Sequence, residues 1–440
     1  MSDEQVDLSI IIPVYNTWNN CADILNRILD LKNDWVEIIL VNDASVEKPI
    51  LSAFTDKLFN HKKVQIINLK TNGGVARARN IGLKASRGKF VWFFDSDDQV
   101  GKNFILALDS FRKNIEKDID LFILNYLVID TNGDEYTKDV ILDSGDERVN
   151  HLHEYIFASN FYYNRFISVI WRYIIRRDFL LSNCVFFNDI RVYEDIAYTC
   201  KLMIKRPKAT VLQGESYKHI RNPHSLSSYL DPSDINSFYS DVVISSLSIL
   251  HDLNYELAHH KNHNIISYLD MQLRKHISSL LFSYPFLEIT SLQEQQWRDL
   301  TSSLKQCRAD IFSDFSIKIE DDLLATINSF NKFITNTVCH MAVSSSVGIY
   351  CISTFSIGCA KLLIEMGFNV KCFFDKQFSS DIVIDDMKFP VKNFSDNSER
   401  DLNLDYIIII NRRKDVCLEI LDDININSLK TTGLIPIYME

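Results

Sequence analysis

No stretch of this 440-residue chain approaches the roughly 20 consecutive apolar residues that a membrane-spanning helix needs. The N-terminus, Met1-Ser2-Asp3-Glu4-Gln5, is acidic and lacks the charged-then-apolar plan of a signal peptide. The nine cysteines are scattered, with no CxxC pair and no metal-ligand spacing, so a disulfide scaffold and a zinc site are both excluded. Glycine (12) and proline (8) are too few for a low-complexity or disordered chain. Excess positive charge is absent as well: the net charge is −11, which argues against a broad nucleic-acid-binding face. Together these absences predict a folded, cytoplasmic protein with reduced thiols. They leave open a peripheral contact with the inner face of a membrane.

What the chain does contain is alternation. Near-continuous Val/Ile/Leu/Phe runs fill residues 8–13, 37–41, 64–69, 90–94 and 121–129, the pattern of strands buried on both faces. Helical patterns separate them at residues 21–31, 50–59, 74–85 and 103–114. Strand–helix alternation implies right-handed crossovers and an open, mostly parallel α/β sheet. From residue 231 to about 335 apolar residues recur at three and four, as in Ile244, Leu247, Leu250 and Leu253, which predicts a helical region. Residues 336–440 return to α/β, with strand runs at 347–352, 369–374 and 405–410 and a helix at 355–366. Three segments are therefore expected: 1–230, 231–335 and 336–440.

In an open parallel sheet, ligands bind beyond the carboxyl ends of the strands. Each of the first four strands here ends in small or polar residues: Pro13-Val14-Tyr15-Asn16, Asn42-Asp43-Ala44-Ser45, Thr71-Asn72-Gly73-Gly74 and Asp95-Ser96-Asp97-Asp98. Two carboxylates two residues apart, Asp95 and Asp97, can share one hard cation such as Mg²⁺ or Mn²⁺. The same residues would also serve an Asx turn. Farther along, Glu194-Asp195 opens an apolar-periodic helix, where acids also act as simple caps.

Residues 8 to about 230 resemble a family 2 glycosyltransferase, an inverting enzyme of the GT-A fold, of the bacterial surface-polysaccharide type. The resemblance is carried by Ser9-Ile10-Ile11-Ile12-Pro13-Val14-Tyr15-Asn16, Asn42-Asp43, Asn72-Gly73-Gly74 with Ala78-Arg79-Asn80, and Asp95-Ser96-Asp97-Asp98. It departs at Ala44, where many members have Gly. The resemblance implies a UDP-sugar donor and a glycan or lipid-linked glycan acceptor in capsule or O-antigen synthesis. Pro13, Tyr15 and Asp43 would then surround the uracil, with Asp43 accepting from its N3–H, and Asn16 would contact the nucleotide sugar. Asn72, Gly73, Arg77, Asp95 and Ser96 would line the nucleotide sugar. Asp95 and Asp97 would ligate Mn²⁺ or Mg²⁺, with His219 as third ligand. Arg221, Ser225 and Ser227 would grip the diphosphate, Asp195 would be the catalytic base, and Glu194 would orient the acceptor.

Other readings fit less well. A sugar nucleotidyltransferase would carry a Gly-rich basic loop where this chain has Pro-Val-Tyr-Asn. A catalytically inactive binding or scaffold module would not need Asp95, Asp97, Asp195 and His219 together. The C-terminal segment resembles a Rossmann-like domain, yet Cys351, Ser353 and Ser356 stand where its glycines are expected, with Asp375 ending the next strand. A scaffold or protein-docking role is expected of it rather than nucleotide binding.

Overall fold

The computed structural model describes residues 6–29, 35–47, 61–129, 133–136, 169–220, 235–283, 289–308, 318–350 and, with short breaks, 352–437. The chain divides into two compact units. One comprises Met1–Asn222 with His251–Leu269, and the other Pro223–Leu250 with Asp270–Glu440.

The first unit is built in the order β1 (Leu8–Val14), α1 (Ala22–Leu29), β2 (Val36–Asn42), β3 (Val64–Asn68), α2 (Gly74–Ala85), β4 (Phe90–Phe93), β5 (Gln99–Val100), α3 (Phe104–Asn114), β6 (Leu121–Ile129) and β7 (Glu135–Tyr136). It continues through β8 (Tyr173–Arg176), α4 (Arg177–Ser182), α5 (Glu194–Ile204) and β9 (Ala209–Ile220). The expected helix over residues 50–59 lies outside the described residues. One sheet runs in the order β3-β2-β1-β4-β8-β6-β9-β5, with β7 paired to β6. Strands β3, β2, β1 and β4 are mutually parallel, and β8 is antiparallel to both β4 and β6. The mostly parallel α/β sheet is therefore present.

All seven residues of β1 are buried, because the strand has a neighbour on each edge and is covered on both faces. The polar residues inside this sheet are bonded to one another. Buried Glu37 accepts from Ser9 Oγ (2.6 Å) and from Arg87 Nε and Nη2 (3.0 and 2.8 Å), so a buried carboxylate is fully paired.

In the second part of the chain, α6 (Ile235–His259) and α7 (His263–Ser283) each contribute residues to both units. Next come α8 (Ser291–Cys307), opened by a Thr290/Gln293 capping box, and α9 (Leu323–Val338), capped by Asp322. Then follow β10 (Ser346–Tyr350), α10 (Thr354–Glu365), β11 (Asn369–Phe374), β12 (Ile382–Ile384), β13 (Met387–Phe389), β14 (Val391–Lys392), β15 (Leu404–Ile410) and β16 (Thr431–Ile437). Five of these strands form an all-parallel sheet, β14-β11-β10-β15-β16. Beyond β10, the Asp375 carboxylate accepts from Ile352 N (3.0 Å), and Ser356 is fully buried. Cys351 and Ser353 lie outside the described residues. Among the described residues, no helix is long and apolar enough to cross a membrane.

Candidate active site

The carboxyl ends of β1 to β4 are drawn together by side chains reaching from one loop to the next. Asn16, in the left-handed region at φ 55°, accepts on Oδ1 from Val46 N (2.9 Å) and Glu47 N (3.2 Å). Its own N–H donates to Ser45 Oγ (3.0 Å). Asn tolerates this backbone region better than most residues. Asn16 thus ties the first loop to the second. Tyr15 beside it is 49% exposed, leaving an aromatic face open for stacking, while Pro13 is buried within β1.

Asp43 has a different place from the one its sequence suggests. Its two oxygens accept from Gly73 N (2.9 Å) and Gly74 N (2.7 Å), the first amides of α2. That helix has no acid in its first turn and no side-chain cap of its own, so Asp43 meets both the orphan donors and the positive end of the dipole. At 3% exposure, the carboxylate expected to meet a uracil N3–H already holds the helix. Asn72 reinforces the junction by donating Nδ2 to the Asp43 carbonyl (3.3 Å). Gly74 sits at φ 85°, and a Cβ on Gly73 would lie 2.5 Å from Arg77 Cδ. The exposed Arg77 side chain thus folds back over Gly73.

The fourth loop holds the carboxylates. Asp95 Oδ1 accepts from Arg79 Nη2 at 2.6 Å. Ser96, 9% exposed, shares a 2.6 Å hydrogen bond with Thr17 Oγ1, so its hydroxyl braces the first loop instead of facing a ligand. Asp97 is exposed at the rim, and the low-dielectric surroundings, Asp95 and Asp98 push its carboxyl up to about 6. Asp98, buried, accepts from Tyr217 Oη (2.5 Å) and Ile220 N (2.7 Å) and lies 3.2 Å from His219 Nδ1. Trp171 stacks on both Tyr217 and His219, fixing the end of β9 against this loop. Burial alone would lower the His219 pKa; Asp98 outweighs it and, with Asp95 and Asp97, holds the ring above its ordinary value.

Among the described residues, no three His, Cys, Asp or Glu side chains are gathered closely enough to hold a metal ion. The expected trio of Asp95, Asp97 and His219 is thus not preassembled, because Asp95 is drawn to Arg79 and His219 to Asp98. The donors that remain are the Asp97 carboxylate and the second oxygen of Asp95. They fit a divalent cation of the kind held by one or two carboxylates together with water and substrate phosphates.

Glu194 and Asp195 open α5 behind Tyr193, a non-glycine residue at φ 61°. Such backbone strain concentrates where surrounding structure must hold a side chain in place. Asp195 Oδ1 accepts from Ile196 N (2.7 Å). Burial, and then the neighbouring Glu194, push the Asp195 carboxyl well above the usual carboxylate range, against the opposing pull of Arg79. Arg221, Ser225 and Ser227 lie outside the described residues.

Sequence reading missed two residues that organise this site, Arg79 and Asp98. Arg79 donates Nη2 to Asp95 and Nη1 to Glu194 Oε1 (3.0 Å), joining positions 115 residues apart. Its signal was present: it falls on the buried face of α2 with Ala76 and Leu83, where an arginine is rarely placed unless paired. Asp98 was visible only as the last acid of its run.

The sequence profile described as glycosyl transferase family 2 matches residues 9–180. The chain is 28% identical over 228 residues to the uncharacterized glycosyltransferase EpsJ of Bacillus subtilis (strain 168), covering 50% of this chain and 62% of that protein. It is 24% identical over 295 residues to poly(ribitol-phosphate) beta-N-acetylglucosaminyltransferase TarS of Staphylococcus aureus (strain Mu50 / ATCC 700699), covering 66% of this chain and 47% of the relative. With the minor teichoic acid biosynthesis protein GgaA of Bacillus subtilis (strain 168) it shares 27% identity over 323 residues, 71% of this chain and 65% of that one. The chain thus spans less than two thirds of the length of these relatives. A crystal structure of S. aureus TarS 1-349 in complex with UDP-GlcNAc overlaps 87% of this chain and 96% of its own, at 17% identity and a TM-score of 0.48. Residues 9–180, which carry the four joined strand ends, are a glycosyl transferase family 2 domain.

Proposed function

We propose that this chain is an inverting, metal-dependent glycosyltransferase that moves a sugar from a UDP-sugar to a hydroxyl of a bacterial surface glycopolymer. The observation that supports this reading most is the convergence of Asp95, from the donor-side loop, and Glu194, beside Asp195, on the one guanidinium of Arg79. Donor-side and acceptor-side carboxylates are thereby set in one place, as a direct displacement requires. The relatives point the same way: one is named a poly(ribitol-phosphate) N-acetylglucosaminyltransferase and another a teichoic acid biosynthesis protein. Their names favour a polyol-phosphate or related acceptor over a capsule or O-antigen chain.

Tyr15 offers the stacking face for the base, and Arg77 and Asn72 flank the nucleotide at the glycine turn. Asp97 and Asp95 would hold Mg²⁺ or Mn²⁺, which when bound would neutralise charge on the departing diphosphate. Asp195 takes the proton from the acceptor hydroxyl as that oxygen attacks the anomeric carbon, while the UDP–sugar bond breaks on the opposite face. One displacement inverts the anomeric configuration.

A UDP-release screen across UDP-Glc, UDP-Gal, UDP-GlcNAc and UDP-GalNAc, with teichoic acid as acceptor and with or without EDTA, tests this. Asp195→Asn should lower kcat by about 10²–10⁴-fold, the usual contribution of a positioned base. Because the Asp195 carboxyl is raised and must be ionised to act, kcat should fall with decreasing pH through a limb above the ordinary carboxylate range. Turnover undiminished by both Asp195→Asn and EDTA would defeat the proposal.

A further inference from the structure

Arg79 is almost fully buried, at 4% exposure, and its guanidinium serves two carboxylates from different elements, Asp95 after β4 and Glu194 at the start of α5. A third carboxylate, Asp195, lies within its electrostatic reach. The Arg79 Nε has no hydrogen-bond partner among the described residues, and the guanidinium stacks over the Phe187 ring with its carbon 5.2 Å from the centroid. Asn80, next in the helix, holds the same turn by two hydrogen bonds with the Phe187 backbone, Nδ2 to O (2.9 Å) and N to Oδ1 (3.0 Å).

Stability alone does not call for this arrangement. One cation among three carboxylates leaves the cluster net negative in a low-dielectric site, where a well-packed apolar substitute would be as stable or more so. A planar fork with separate donors is what is needed to hold two carboxylates at fixed relative positions, and a lysine could not replace it.

We propose that Arg79 is the positioning residue of this site: by gripping Asp95 and Glu194 together, it couples occupancy of the donor side to the placement of Asp195 on the acceptor side. The inference rests on the transferase reading above. Donor binding engages Asp95 and changes its hold on the guanidinium, and the change passes to Glu194 and so to the first turn of α5. The groups facing Asp195 are Glu194, Arg79 and Asp95, with Cys200 on its own helix and Tyr268 on α7. Arg79 is the one cation among them, and it favours the ionised base.

The test uses the full-length chain carrying Arg79→Lys, Arg79→Gln, Glu194→Gln and the Arg79→Gln/Glu194→Gln pair, each checked for a cooperative melt. Arg79→Lys keeps the charge but not the fork. It should melt cooperatively yet turn over at least 100-fold more slowly. In Arg79→Gln the acid limb of kcat should move to higher pH, since the base loses its cation. A purely structural arginine would leave that limb in place, and Arg79→Lys with wild-type kcat and an unmoved limb would overturn the inference. Binding of UDP alone provides a second arm that does not depend on turnover. Glu194→Gln, which leaves Arg79 wholly to Asp95 and so holds that carboxylate back from the donor side, should weaken UDP binding at least threefold in the wild-type background and leave it unchanged in Arg79→Gln. Equal effects in both backgrounds would show that the sites are uncoupled. UDP binding and non-additivity without turnover of any donor would sink the transferase reading and keep the coupling. No UDP binding by the wild type would sink both.

Discussion

Asp43 gives both carboxylate oxygens to the amides of Gly73 and Gly74, so its first effect is on α2. Asp43→Ala should cost about 1–3 kcal/mol, the range for removing a buried acceptor from its donors. Asp43→Asn should cost less, since one oxygen can still accept. Urea unfolding midpoints and UDP affinity, measured together, separate the two roles. Unchanged stability with lost UDP binding would return Asp43 to the base, as the sequence suggested. The case shows which single residues a sequence makes legible. Asp95, Asp97, Glu194 and Asp195 stand out as candidates because each sits in a short local pattern at a strand end or helix start. Asp43 stands out too, but its hydrogen-bond partners lie 30 and 31 residues away and could not be read. Arg79 was quoted within a motif and given no role, because its two partners belong to different elements.

At the scale of elements, continuous apolar strands announced themselves, and β1, β2, β3, β4 and β6 lie within a residue or so of the expected runs. β9 did not. Its polar residues, Gln213, Glu215, Ser216, Lys218 and His219, break the apolar pattern, and its register against β6 shifts twice between Ile123 and Tyr126. It is nonetheless the strand that delivers His219 to Asp98. Gly101 makes this possible. Its N–H donates to the Ser216 carbonyl (2.8 Å), and a Cβ there would stand 2.3 Å from the Glu215 carbonyl oxygen, a backbone atom that cannot turn aside. Gly101→Ala should therefore push β9 away from β5 at a cost of about 1–3 kcal/mol, as overpacking typically does. In a unit of this size that lowers the melting temperature by roughly 2–4 °C per kcal/mol. The same shift should weaken UDP binding by moving His219 and Tyr217 off Asp98. A melting temperature equal to wild type would mean that the strand has more room than the backbone distance implies.

For the whole molecule, the sequence placed the end of the first segment near residue 230, where the texture turns helical. Contacts draw the line elsewhere: the first unit reclaims residues 251–269 after the chain has left it. The reason is visible at α5. Glu256, whose side chain is fully buried, accepts from Arg206 Nη2 at 2.7 Å, and Lys205 lies over the Tyr255 ring. Tyr268 lies close to Cys200, on the buried face of the same helix. Residues Leu253, Ile265, Tyr268 and Leu269 are all at most 4% exposed. At roughly 1.5–3 kcal/mol for each buried side chain, their loss is comparable to the net stability of about 5–15 kcal/mol typical of a domain. A chain cut after residue 230 should consequently lose its cooperative melt and bind hydrophobic dye, with the helix that carries Glu194 and Asp195 left uncovered. A chain cut after residue 283, which keeps 251–269, should melt cooperatively and bind UDP. Matching cooperative transitions for the two would show that the reclaimed helices are dispensable, and that the first unit is as contiguous as its sequence first implied.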